Sequence, residues 1–154
     1  MSPQIAQHFA EKVYYGGLTY SAHPMSCAAA IAAVNVLRDD DLVGNAARLG
    51  PVMAAHHARL QASHPSVGAV RSIGLFGIVE LIRDRVTQEP MAPFNGSSPE
   101  MAALDARLKA DGLYTMQHWD SFFTNPPLCI NEQQLDEGFA IIDAALEVTD
   151  AAVR

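Results

Sequence analysis

The feature that most constrains this chain is a change of hydrophobic period after Ser63. Upstream, Leu42, Ala46, Leu49, Met53, His56 or His57, and Leu60 recur at helical spacing, with Pro51 placed to kink the helix. Downstream, residues 67–71 and 75–82 are β-branched or apolar, with Gly68, Gly74 and Gly77 between them. That pattern predicts two strands joined by a bend near Gly74. Glycine inside a strand marks a bulge or the close approach of another group. A one-sided helix followed by such strands calls for a helix layer packed on a sheet.

The remaining elements follow the same logic. Residues 3–12 read as a short helix, with Ile5 and Phe9 four apart, and residues 14–24 as an irregular loop. An Ala-rich helix over residues 25–38 starts near Pro24, where proline suits a first turn, and its small side chains suggest close packing. Asp39, Asp40 and Asp41 mark a boundary whose charges suit the start of the next helix. Residues 87–99, with three prolines and Asn95-Gly96, form a loop too short to establish two domains. Ser98 caps a helix running to Lys109 with Pro99 in its first turn, and Gly112 ends it. Residues 113–119 and 122–124 read as strands. Asn131 caps a last helix with Leu135, Phe139, Ile142 and Leu146 on one face. The expected class is α/β, in an α+β arrangement of helices packed on a small, mainly antiparallel sheet.

Composition narrows the function classes. The 154 residues suffice for one domain with a real core, and 49% hydrophobic against 18% charged residues is globular composition. A net charge of −7, with ten dispersed basic residues, speaks against nucleic acid. The first thirteen residues lack a signal-peptide pattern, and the longest apolar run, 27–34, is too short for a membrane span. Cys27 and Cys129 have apolar neighbours and are expected to be buried free thiols, which fits a reducing, cytoplasmic setting.

Residues 16–24 are the strongest local feature. Two glycines permit tight turns, and Thr19 and Ser21 bring hydroxyls just ahead of a helix start. Backbone N–H groups and hydroxyls converging there make an anion site. The same residues also fit a plain glycine turn with Thr19 and Ser21 as ordinary caps, and no Walker or dinucleotide spacing is present.

Leu18-Thr19-Tyr20-Ser21-Ala22-His23-Pro24, followed by the Ala-rich helix, closely resembles the segment after the cofactor lysine in class III aminotransferases. The resemblance covers most of the chain. Residues 67–75 with Gly77 and Glu80-Leu81 look like that family's glycine-rich strand pair, residues 123–130 like its proline-pair strand, and residues 132–146 like its closing helix. Ala92-Pro93-Phe94-Asn95-Gly96 and Asn125-Pro126-Pro127-Leu128 are most similar to the branch handling taurine and other omega-amino compounds.

The resemblance implies the small C-terminal domain of a fold-type I enzyme using pyridoxal 5'-phosphate. Residues 1–40 would be an interface loop and linking helix, and residues 41–154 the small α/β domain. It implies a homodimer in which Thr19 donates a hydrogen bond to the phosphate held by the neighbouring subunit, with the Leu18 N–H directed at the same oxygens. It also implies an N-terminal large domain carrying the covalent lysine and the carboxylate for the pyridine nitrogen. Neither Lys12 nor Lys109 matches the family's lysine position, so no catalytic residue is expected in this chain, which alone should not transaminate. The substrates implied are a small amine and a keto acid. Family arginines that grip carboxylates are replaced by Phe123 and His118. His118 fits either a weak anion grip or a structural histidine at a strand end.

Two other classes compete. One is a non-catalytic dimerisation or ligand-binding module derived from that domain. The other is a metal-dependent hydrolase, but adjacent His56 and His57 point about 100° apart on a helix and cannot share one ion well. They are expected to be solvated or half-buried, and His23 to support its loop. Trp119, Phe122 and Phe123 are expected to form one packed aromatic cluster.

Overall fold

A computed structural model describes all of residues 1–154. By its internal contacts the chain divides into two units, Met1–Val36 and Leu37–Arg154. Helix α1 spans Pro3–Glu11, with Ser2 accepting a hydrogen bond from the Ile5 N–H and Pro3 in the first turn. Helix α2 spans Pro24–Asp39. Neither helix has a buried residue, and Ile5, Phe9, Tyr14, Tyr15, Leu18, Tyr20 and Ile31 are all exposed.

The second unit holds the core. Its elements are α3 (Leu42–Ser63), β1 (Val67–Ile73), β2 (Phe76–Leu81), α4 (Pro99–Ala110), β3 (Gln117–His118), β4 (Ser121–Thr124) and α5 (Glu132–Asp150). The strands form one antiparallel sheet in the order β1-β2-β4-β3. The hairpin from β1 to β2 turns on Gly74 and Leu75 alone, with Ile73 opposite Phe76. Gly74 takes a φ of +55°, which such a two-residue turn requires. A bulge between Val67 and Ala69 falls at Gly68, where Ile82 leaves no room for a side chain.

Strand alternation sorts the sheet's two faces. Gly77, Val79 and Leu81 point inward, as does Phe122 opposite Val79. Helices α3, α4 and α5 cover that face. Leu49, Met53 and Leu60 meet Leu104, Leu108, Phe139, Ile142 and Leu146 in a single core. The outer face carries Arg71 paired with Glu80, beside Ile73, Phe76 and Phe123, and no helix of this unit covers it.

Helix ends follow the expected chemistry. Ser98 accepts from the Met101 N–H, and Asn131 forms a reciprocal capping box with Gln134. Gly112 has a φ of +87°, and the Leu113 N–H returns to the Leu108 carbonyl at 2.8 Å, a left-handed stop for α4. Asp41 precedes α3 but makes no side-chain cap; its carboxylate lies over Gly44 instead.

Several expectations need correction. The strand expected over residues 113–119 shrinks to Gln117–His118. Leu113 completes the end of α4, and β4 is only four residues long, so little edge remains to pair. Both cysteines are exposed free thiols, Cys27 on α2 and Cys129 after the proline pair; apolar neighbours in sequence did not bring them inside. His56 and His57 are buried: His57 bonds Thr124 inside the core, and His56 stacks on Phe139 while its ring edge reaches the exposed Asp136. The aromatic cluster splits, since adjacent strand residues face opposite ways: Phe122 enters the core while Phe123 turns towards Phe76. No helix is long and apolar enough to cross a membrane.

A Cβ at Gly77 would collide with the His57 ring and the Thr124 hydroxyl and lie 2.8 Å from Met53 Cε. Gly77→Ala should therefore cost about 2–3 kcal/mol through overpacking. A urea midpoint unchanged from wild type would show that α3 is free to lift from the sheet.

Candidate functional site

The first candidate lies wholly in the first unit. Residues 13–18 are irregular, and Thr19, Tyr20, Ser21 and Ala22 form a turn immediately before α2. The Ser21 N–H donates to the Leu18 carbonyl at 2.9 Å, and the Leu18 N–H donates to Ser21 Oγ at 3.3 Å. The His23 N–H donates to the Tyr20 carbonyl, and the His23 carbonyl accepts from the Cys27 N–H, which starts the helix. Ala22 takes a φ of +58°, the left-handed step that lets so short a turn enter α2. Thr19 and Leu18 are thus brought together, both exposed. Ser21, not Thr19, is the residue that closes the turn. Gly17 meets nothing on the side where a Cβ would stand, so the backbone before Leu18 is open to approach.

These features suit the phosphate end of a cofactor: an exposed hydroxyl, a backbone amide held by one long bond, and a helix start directly behind them. Lys12 is exposed at the end of α1, and Lys109 pairs with Asp105 at 2.6 Å on α4.

The second candidate lies in the second unit, around β3, β4 and the proline pair. His118 is exposed on the edge strand β3, next to Trp119 at the hairpin turn, with ring centroids 3.9 Å apart. Phe123 lines an apolar cavity of about 410 Å³ with Tyr114, Met116, Pro126, Pro127 and Phe139. No charged side chain lines that cavity, so it offers no cation to pair with a carboxylate. His118 is not among its lining residues.

What holds β4 and the proline pair is a set of polar bonds that sequence patterns do not announce. Asn45 Nδ2 donates to the carbonyls of Leu128 at 2.7 Å and Ile130 at 2.9 Å. His57 Nε2 meets Thr124 Oγ1 at 2.9 Å, while its Nδ1 is buried without a partner. His56 stacks on Phe139 at 4.5 Å and bonds Asp136 at 2.7 Å. Near the other end of α5, Asp150 receives Ser66 Oγ at 2.6 Å and the Ser66 N–H at 3.1 Å, and bonds His64 Nδ1 at 2.7 Å. Only the helical spacing of His56 and His57 with Leu60 hinted that histidines face inward. No group of three or more His, Cys, Asp or Glu side chains converges as a metal site.

Two of these histidines titrate abnormally. Burial, then the neighbouring His56, lowers the His57 pKa from 6.5 to about 4. For His64 burial opposes the charge, but the hydrogen bonds its ring donates to Asp150 and Asp143 outweigh it and raise its pKa above 6.5. Below pH 6.5 the unfolded chain protonates His57 while the folded one resists, so that contribution is full above 6.5 and lost as pH falls towards 4. Its full size is roughly 3 kcal/mol. The His64 contribution runs oppositely: it is full below 6.5 and lost as pH rises through the raised value. Unfolding free energy measured against pH should therefore pass through a maximum near neutrality. His57→Gln should flatten the acid limb, and an acid limb unaltered in that variant would remove His57 from this role.

Comparison with known proteins adds a separate finding. A family model described as aminotransferase class-III matches residues 2–146. An aminotransferase of Sinorhizobium fredii, y4uB, described as uncharacterized, is 36% identical over 141 residues, or 90% of this chain and 30% of its own length. The putrescine–pyruvate aminotransferase of Pseudomonas aeruginosa is 30% identical over 141 residues, 91% of this chain and 30% of its own. The structure of taurine:2-oxoglutarate aminotransferase from Bifidobacterium kashiwanohense, in complex with PLP and glutamate, is similar over all of this chain and 34% of that one. Its TM-score is 0.91 and its identity 30%. The chain thus spans about a third of the length of these relatives.

Proposed function

Because the chain belongs to the class III aminotransferases, we propose that it is the C-terminal portion of a pyridoxal-phosphate-dependent transaminase. In this reading the intact enzyme moves an amino group from an amine or omega-amino acid to a keto acid. The family match across residues 2–146 carries the reading. The glutamate and PLP bound by the taurine enzyme support the cofactor and the acceptor class. When bound, pyridoxal phosphate supplies the electron sink that stabilises negative charge on the amino-bearing carbon.

This chain's own residues have narrower tasks. Thr19 donates its hydroxyl proton to a phosphate oxygen held by a neighbouring subunit of a homodimer, and the Leu18 N–H gives up its long bond to Ser21 for the same phosphate. The exposed Tyr14, Tyr15, Leu18 and Tyr20 around that turn support a face covered by another subunit. Residues 1–40 serve as the interface segment and linking helix, and residues 41–154 as the small domain. His118 receives the anionic end of a substrate. The lysine that bonds the cofactor belongs to an N-terminal large domain, and the chain by itself does not transaminate. The two free cysteines fit a reducing, cytoplasmic setting.

One observation favours a second reading, a non-catalytic module derived from this domain: the cavity by the proline pair has no charged lining.

Mixed with pyridoxal phosphate, the purified chain should form no visible absorption band that survives dialysis; a stable band would contradict the assignment of the lysine elsewhere. Joined to the lysine-bearing part of such an enzyme, it should bind the cofactor about 10- to 100-fold more weakly after Thr19→Ala, the loss of one charge-assisted hydrogen bond. Unchanged affinity would refute the role of Thr19. If the joined protein holds cofactor but turns over no amine, the module reading gains.

A further inference from the structure

Trp119 occupies a position that favours glycine. His118 pairs with Ser121, so Trp119 and Asp120 alone form the hairpin turn between β3 and β4. The φ of Trp119 is +57°. Glycine and asparagine take that conformation readily in two-residue turns, whereas a bulky aromatic side chain rarely does. A strained residue persists when its surroundings over-determine it, and such residues cluster where a site must be pre-shaped.

Core packing does not explain this one. Trp119 is only half-buried, and its two ring partners are both exposed, Phe94 to 80%. The indole contacts both, its centroid 4.1 Å from Phe94 and 3.9 Å from His118, with the imidazole tilted 32° from its plane. Phe94 comes from the loop after β2, which is tied down. The Met91 N–H donates to the Leu81 carbonyl at 2.9 Å, and Arg83 reaches both the Met91 carbonyl and Glu100. A fixed loop and a strained turn thus build an aromatic shelf beneath an otherwise free imidazole.

We infer that Trp119, backed by Phe94, is a positioning residue that holds the His118 ring at the angle needed to receive the carboxylate or sulfonate end of an amino substrate. The inference rests on the reading of His118 given above. On a two-residue edge strand an imidazole has little to restrict its rotation, and stacking removes that freedom before the ligand arrives.

Trp119→Gly relieves the backbone and deletes the shelf together, while Trp119→Phe keeps a ring. In nuclear magnetic resonance spectra of the chain, the His118 ring protons should carry a ring-current shift that Trp119→Gly abolishes and Trp119→Phe retains in part. The thermal midpoint of Trp119→Gly should equal or exceed that of wild type. In the enzyme joined to its lysine-bearing part, the ratio of kcat/KM for taurine over propylamine should fall about tenfold in Trp119→Gly, mainly through KM, and recover in Trp119→Phe. No ring-current shift in wild type, or a large fall in thermal midpoint, would overturn the positioning role. If His118→Ala lowers the ratio but Trp119→Gly does not, the shelf is wrong and the His118 reading stands. If His118→Ala leaves the ratio unchanged, the His118 reading fails, and the shelf fails with it.

Discussion

Helix α3 holds the second unit together, and it does so with directional bonds as well as apolar burial. Leu49, Met53 and Leu60 would accept several registers against a sheet, because dispersion and hydrophobic contacts have little angular preference. His57 bonded to Thr124, His56 to Asp136, and Asn45 to the Leu128 and Ile130 carbonyls accept only one. Directional bonds, of which His57–Thr124 is fully buried and the others sit at the edge of the core, specify an arrangement that packing alone leaves degenerate. The unpaired His57 Nδ1 shows the other side of the same device: a second proton there would have no acceptor, so the clamp depends on a neutral ring.

Much of the fold was legible because its signals are local. Ser98, Asn131 and Gly112 act within one turn of where they stand, and the period change after Ser63 marks the passage from α3 to the hairpin. The failures share a physical cause. Whether residues 113–116 become a strand depends on how far β4 extends beside them, and whether His56 is buried depends on Asp136, eighty residues away. The cysteines were misjudged for the same reason, since apolar neighbours in sequence do not fix which side of an element faces solvent.

The candidate site was legible to different degrees in its two parts. The turn at Thr19 could be read because two glycines permit a tight turn just ahead of a helix start, whereas the closing role of Ser21 depends on a bond that no local pattern announces. His118 was singled out through family resemblance, but its surroundings were not foreseen. Nothing in Trp119-Asp120 announces a positive φ, and Phe94 lies twenty-five residues away in a loop whose course is set by Arg83, Met91 and Glu100.

The proline segment hangs from α3 at two pegs, the hydroxyl of Thr124 and the carbonyls of Leu128 and Ile130. Between those pegs Asn125, Pro126 and Pro127 carry no tether to the helix, yet all three line the cavity. Such a suspension separates where a wall stands from what it is made of. The side chains strung along it can be exchanged to reshape the hollow while the fold keeps the wall in place, so this stretch is a natural place to vary ligand preference without disturbing stability.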